Sequence, residues 1–373
     1  MDSLDRLLEY VEEHIDLHRC SEIDDLYKRS LHYEQVDRPP LYISCEEPFG
    51  GFKLYPYRDS FSDPTKMMHN QLIERVLPGL ELDCDNSLSI RVDFGVVTLA
   101  SIIGAKWLMK ENYYPWVEPL TSCDIIDSLL EAGRVDLTNE LGSEVLRFME
   151  FFNRKLAGYP KCRKGIQIEF PGPQGPFNVL YLLRGTDLYY DCYDNRQIVA
   201  RLMKRLTEIT IDHVRQVKPL TVERQSSDLT CQHGYMIRGN VLLRDDSVVL
   251  VSPKMYAYLV RPYDSELLET LGGGSIHFCG NGQHLIDSML EMRIVKGLDF
   301  GNHELMDTSA IYEKCAERGI SITGLRPSPK ELVSGTAASQ YPTGVTFTFE
   351  AKTMAEARQV SDCYHNPHHR VMR

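Results

Sequence analysis

Apolar residues recur at helical spacing from the start of the chain. Leu4, Leu7, Leu8, Val11 and Ile15 form one stripe of a 3.6-residue repeat within the acidic stretch "MDSLDRLLEYVEEH". The spacing predicts an amphipathic helix there. A second helix is predicted through "SEIDDLYKRSLHYEQV", ending at Pro39-Pro40, where the ring removes the N–H that a helix needs.

Beyond Pro40 the period shortens to two. "LYISCEE", "LSIRVDFG", "GIQIEFPG", "SDLTCQHG", "SIHFCGNG", "VKGLDFGN", "GISITGLR" and "TGVTFTFEA" read as eight strands. Helical runs lie between most of them: "SCDIIDSLLEAG", "NRQIVARLMKRLTEITIDHVRQV", "SPKMYAYLVRPYDSELLETL" and "DTSAIYEKCAERG". Alternation of strand and helix implies right-handed crossovers and a parallel sheet. Eight such strands favour a closed (β/α)8 TIM barrel with an N-terminal helical cap over an open doubly wound sheet. The absence of a P-loop and of G-x-G-x-x-G weakens the nucleotide-binding alternative. With no Ser/Gly/Pro-rich linker, the expected division is residues 1–36 as helices packing on a barrel of residues 37–373.

Composition narrows the function. Of 373 residues, 43% are hydrophobic and 25% charged, as in soluble globular proteins, and the net charge is −12. Nucleic-acid binding needs a basic face, so it is not expected. No apolar run approaches the ~18 residues of a membrane span. The acidic opening is unlike a secretory signal, and a cytoplasmic location is the expectation. The 10 cysteines are scattered with no C-x-x-C pair, so they are expected to be reduced and mostly packed as small hydrophobes.

Barrels of this kind build active sites at the C-terminal ends of their strands. The polar residues falling there are Cys45, Glu46, Arg91, Asp93, Gln174, His233, His277, Cys279, Asp299, Asn302 and Glu350. Side chains alternate along a strand, so His277 and Cys279 share a face while Ile276 and Phe278 take the other. Imidazole nitrogen and thiolate sulfur are both zinc donors, and a catalytic zinc wants three protein ligands and one open position. The competing reading is a packed pair that holds no ion. In "TGVTFTFEA", Glu350 shares the lumen face with Thr346 and Thr348, which makes it the preferred third ligand. Cys315 and Cys363 are the alternatives. Asp245-Asp246 precede an N-cap pair, Ser252-Pro253, and Tyr113, Tyr114 and Trp116 form an aromatic loop suited to a flat ligand or a core cover. The histidine-rich tail "CYHNPHHRVMR" is short enough to bind metal only adventitiously.

From about residue 35 onward the chain resembles the uroporphyrinogen decarboxylase superfamily. The resemblance rests on "RPPLYIS", "VDFGVVTLASIIGAKW", "QGPFNVLYLLRGTDLYYD", "DDSVVLVSPKMYAYLVRPYDSEL", "SIHFCGN" and "VKGLDFGN", in that order. It implies a (β/α)8 barrel, an enzyme, and an active site near the acidic Asp245-Asp246 segment. Two branches imply different chemistry. The decarboxylase works without metal and grips an acidic tetrapyrrole with arginines after its first strand. Here Glu46 and Glu47 stand in that loop, while Asp93 matches the catalytic aspartate. The corrinoid methyltransferase branch holds zinc with a His-x-Cys pair and a distant cysteine. His277 and Cys279 match that pair, and Glu350 or a neighbour stands where the distant cysteine would be.

The leading expectation is therefore zinc-dependent methyl transfer from a methylated corrinoid protein to a thiol or related acceptor such as a pterin. Asp93, His233 and Asp299 are the candidate proton-handling residues, and Glu46, Arg91, Gln174 and Asn302 the candidate substrate contacts. Metal-free decarboxylation of a tetrapyrrole or another acidic substrate, centred on Asp93, is the alternative. A non-catalytic barrel binding a corrinoid or small molecule is the third reading. The oligomeric state is left open.

Overall fold

The computed structural model describes residues 3–109, 113–120, 129–131, 133–224 and 228–366. Its strands are β1 (Leu41–Cys45), β2 (Ser89–Arg91), β3 (Trp107–Leu108), β4 (Trp116–Val117), β5 (Gln167–Glu169), β6 (Leu229–Gln232), β7 (Tyr235–Arg238), β8 (Val241–Arg244), β9 (Gly274–Phe278), β10 (Val295–Phe300), β11 (Ser321–Leu325) and β12 (Val345–Ala351). Six of them form one sheet in the order β1-β12-β11-β10-β9-β8, every pairing parallel. β2 and β5 form a separate parallel pair.

Single contacts, rather than ladders, link the pair to the larger sheet among the described residues. On one side Gln174 bridges Arg244 at the end of β8. On the other, the Asn86 side chain stands in for a strand: its Oδ1 accepts from Ile43 N at 2.8 Å and its Nδ2 donates to Ile43 O at 2.7 Å. The fold is α/β with a parallel sheet, as the alternation of strand and helix predicts.

The apolar faces meet between sheet and helices. Ile276, Phe278, Leu298, Phe300, Ile322, Val345 and Phe347 are buried in one core with the helices outside them. Full burial of such side chains is worth roughly 1.5–3 kcal/mol each. The stripe of the helix Ser3–His14 joins this core through Leu4, Leu7, Leu8 and Val11. Glu12 adds a polar tie, accepting from Lys161 N at 2.9 Å and Cys162 N at 2.8 Å at the start of the helix Pro160–Gly165. No helix among the described residues is long and apolar enough to cross a membrane.

Three local expectations are corrected. The second helix runs Leu17–Leu31 and stops well before Pro39. Tyr33 takes a left-handed backbone (φ 62°) instead, and its hydroxyl donates to Ile320 O at 2.7 Å. The stretch "SDLTCQHG" is not a member of the parallel sheet: β6 folds back on β7 as an antiparallel hairpin. Its two-residue turn, His233-Gly234, has positive φ at both positions (56° and 85°), as the right-handed twist of a tight hairpin demands. The parallel strand at this point of the chain is β8, "VLLR". Third, the helical run from Pro253 to Thr270 contains a π-turn at Tyr256–Val260, just before Pro262, whose missing N–H breaks the regular bonding. The stretch "SCDIIDSLLEAG" lies largely outside the described residues.

Candidate metal centre

Register on the sheet brings the polar side chains together. Arg244 pairs with His277 across β8 and β9, His277 with Asp299 across β9 and β10, and Asp299 with Thr323 across β10 and β11. Residues in register on neighbouring strands face the same way, so these four form one row. Ile276 and Phe278 are fully buried behind it, as the alternation of "SIHFC" predicts.

His277 is fixed from one side. Its Nδ1 donates to Asp299 Oδ2 at 2.6 Å, while Asp299 Oδ1 accepts from Thr323 Oγ1 at 2.6 Å and from the Tyr235 hydroxyl at 2.9 Å. Burial alone would push the Asp299 carboxyl up, but the His277 bond and charge, with Thr323 and Tyr235, hold it below the usual range. That bond leaves Nε2 of His277 facing two further donors. Cys279 Sγ is 3.5 Å from it, and Asp246 Oδ1 is also 3.5 Å away.

Asp246 Oδ1 in addition accepts from Cys279 N at 2.7 Å, and Asn302 Oδ1 accepts from Gly280 N at 3.0 Å, so the turn carrying the thiol is held at two successive amides. One ligand atom from each of Asp246, His277 and Cys279 lies within 4.8 Å of the others.

These residues fit a zinc ion. Ligands at about 2.0–2.3 Å around a tetrahedral centre stand roughly 3.4–3.6 Å apart, which is the spacing at His277 Nε2. The oxygen, nitrogen and sulfur set is one that zinc accepts. A carboxylate behind the ligating imidazole, here Asp299, orients such rings and selects the free nitrogen. Burial would lower the His277 pKa. The bonds to Asp299 and Cys279 and the charges of Asp299 and Asp246 outweigh it and raise the value to about 10. A metal must therefore displace a proton from this ring.

A different environment faces it across an open cavity of about 220 Å³, whose lining includes Arg75, His233, Tyr235, His277, Asp299, Arg326 and Glu350. Arg75 Nη1 pairs with Glu169 Oε1 at 3.2 Å, and Arg91 Nη2 with Asp93 Oδ2 at 3.0 Å. Arg244 Nη2 donates to His233 Nε2 at 3.0 Å. Burial, then the charges of Arg244, Arg91 and His277, push the His233 pKa well below its ordinary value, so this imidazole is neutral.

The predicted site residues divide accordingly. His277, His233 and Asp299 line the cavity, and Cys279, which does not, has its Sγ 3.5 Å from His277 Nε2. Glu350 lines the cavity, so its predicted face is right, but the carboxylate grouped with His277 and Cys279 is Asp246. Cys315 is packed in the core, and Cys363 lies on the helix Met354–His365.

Asp93 does not line the cavity. It accepts from Arg91 and from Gly95 N, and despite burial Arg91 and Arg75 hold its carboxyl below the usual range. Gln174 is buried and bonded to Asn178, and Glu46 is exposed beyond β1. Asn302 supports the Cys279 turn. The aromatic loop is exposed at Tyr113, Tyr114 and Trp116, with Tyr114 against Tyr57 at 4.7 Å.

Sequence reasoning missed Arg75, Tyr235 and Arg244 and did not group Asp246 with His277 and Cys279. The signal for the last two was present: "NVLLRDD" is a strand pattern ending in charged residues, and placing the fourth strand there puts Arg244 and Asp246 at the mouth.

No family model matches the sequence, and no curated protein matches it. The fold, however, is shared with solved structures. A methyltransferase from Methanosarcina mazei superposes with a TM-score of 0.65 over 93% of this chain and 99% of that one, at 14% identity. At that identity the likeness is one of fold.

Proposed function

We propose that the protein is a methyltransferase on a (β/α)8 barrel, with zinc held by Asp246, His277 and Cys279. The acceptor is a thiol or related small molecule taken into the cavity, and the donor is a methylated corrinoid protein docking at the mouth. The observation that carries this reading is the orientation of His277: Nδ1 is tied to a buried carboxylate, and Nε2 is 3.5 Å from both a thiol and a second carboxylate. The fold shared with a methyltransferase supports it. Bound there, zinc would supply an open coordination position and lower the pKa of a coordinated thiol.

The chain's own residues do the rest. Asp299 keeps the imidazole in one tautomer and one orientation. Asp246 and Asn302 hold the turn that presents Cys279. The buried faces of β9 and β10 make the frame rigid, so the donor atoms are preorganised. Neutral His233, on the same cavity, adds no positive charge that would repel a metal ion held at His277. A cavity of about 220 Å³ suits a small acceptor rather than a tetrapyrrole, since drug-sized ligands occupy roughly 300–1,000 Å³.

The test is zinc content in protein made without a polyhistidine tag and lacking residues 367–373. About one zinc per chain is expected, lost in Asp246→Asn, His277→Ala and Cys279→Ser and kept in Glu350→Gln. Loaded protein should demethylate methylcobalamin when a thiol is added, followed by absorbance. Zinc that survives all three ligand substitutions would overturn the assignment.

A further inference from the structure

The loop that carries Asp246 is fixed by the residues on either side of it. Ser247 follows, and both its N and its hydroxyl donate to Asn178 Oδ1, at 3.1 and 2.5 Å. Asp245 precedes, and its N donates to His277 O at 2.8 Å, which ties the loop to β9. The Asp245 side chain is fully buried, unlike that of Asp246. No N–H or O–H donor among the described residues reaches either of its oxygens, unless it is the carboxyl that faces it. That carboxyl is Asp264, also fully buried and hydrogen-bonded to Asp245. Asp264 Oδ2 accepts in addition from the Tyr256 hydroxyl at 3.2 Å. A bond between two carboxyl groups needs one hydrogen held between them, and burying both without it would be costly.

Two features of the fold make room for this pair. Gly175 lies directly against it: a Cβ there would stand 1.8 Å from Asp245 Oδ1 and 2.7 Å from Oδ2. The Gly175 backbone is ordinary (φ −60°), so it is the carboxyl and not the torsion that excludes a side chain. The π-turn Tyr256–Val260 does the rest. In a regular helix, positions two turns or about seven residues apart share a face. One extra residue in a π-turn moves the match to eight, which is the separation of Tyr256 and Asp264.

We propose that Asp264, acting through Asp245, is a positioning residue for Asp246. The buried pair sets the loop so that Asp246 Oδ1 meets Cys279 N and faces His277 Nε2. Its consequence for zinc rests on the methyltransferase reading; the positioning of the loop does not.

The bond from Cys279 N to Asp246 Oδ1, 2.7 Å, reports the position of the loop without any metal. In metal-free, full-length protein carrying isotope-labelled cysteine, the Cys279 amide is assigned by its absence in Cys279→Ser, and its hydrogen exchange is followed by NMR. Asp264→Leu removes the acceptor at similar size and should speed this exchange at least about tenfold, while Asp264→Asn keeps an acceptor and should change it less than about threefold. Leu267→Ala, a core truncation on the same helix, should lower the denaturant midpoint and leave the Cys279 amide unchanged, which separates positioning from general stability. Should Asp264→Leu fail to fold, Tyr256→Phe removes the hydroxyl alone and should speed exchange at least about threefold. Zinc affinity, read by chelator competition, should fall at least about tenfold in Asp264→Leu and hold in Asp264→Asn. Unchanged exchange in Asp264→Leu or in Tyr256→Phe, or equal losses in Asp264→Leu and Asp264→Asn, would overturn the proposal. Faster Cys279 exchange in Asp264→Leu of a protein that takes up no zinc would leave the positioning role standing and remove the metal reading.

Discussion

Two histidines face one cavity with ring centroids 6.1 Å apart, and their surroundings give them opposite characters. His277 lies among carboxylates, Asp299 on one nitrogen and Asp246 near the other, and its pKa is raised to about 10. His233 lies among arginines, and burial with Arg244 and Arg91 keeps it neutral. Residue type does not distinguish them; the charges that neighbouring strands bring alongside do. The carboxylate side of the cavity is therefore suited to a cation, while on the other side Arg75 is paired with Glu169 and Arg91 with Asp93.

The largest departure from this contrast should come from Asp299→Asn. An amide can still orient the ring but carries no charge to raise the basicity of its ligating nitrogen. Zinc affinity should fall about 10–100-fold, measured by competition with a chromogenic chelator. Unchanged affinity would mean that Asp299 does no more than fill space.

A smaller effect follows from pH. His277 holds its proton in the metal-free protein up to about pH 10, so a metal displaces that proton at every lower pH. Zinc affinity should therefore rise with pH by at least about tenfold per unit, or roughly 1.4 kcal/mol, because Cys279 also binds the metal without its thiol proton. In Asp299→Asn this dependence should flatten at a lower pH, because the ring gives up its proton sooner. A flat profile in the unsubstituted protein would place zinc elsewhere.

The smallest effect concerns the arginine side. Gly172→Ala adds a methyl group against the Arg244 guanidinium at a left-handed backbone position. The expected loss is about 1–2 kcal/mol of stability, read from the denaturant midpoint. No change would show that the cradle is loose.

Legibility in the sequence differs between the same two regions. The strands of the carboxylate side, β9 to β12, alternate cleanly, and "SIHFC" and "TFTFE" give the correct faces for His277 and Glu350. Alternation gives a face, however, and not a distance across the sheet. The carboxylate grouped with His277 and Cys279 comes from the loop after the neighbouring strand, which period-two reasoning along β12 does not reach.

The arginine side was harder to read. "SDLTCQHGYMIRGNVLLRDD" contains three strand-like runs with two turns, and only the tertiary context decides which run joins the parallel sheet. Assigning the first run hid Arg244 and Asp246. Arg75 is less accessible still, because it lies on a π-turn of a helix, Leu72–Val76, far from any strand end.

Zinc-edge X-ray absorption on untagged protein lacking residues 367–373 tests the centre most directly. The proposed centre predicts one sulfur at about 2.3 Å and the remaining ligands nitrogen or oxygen at about 2.0–2.2 Å, with the sulfur lost in Cys279→Ser. A shell with no sulfur, or with two, would contradict a centre made of Asp246, His277 and Cys279.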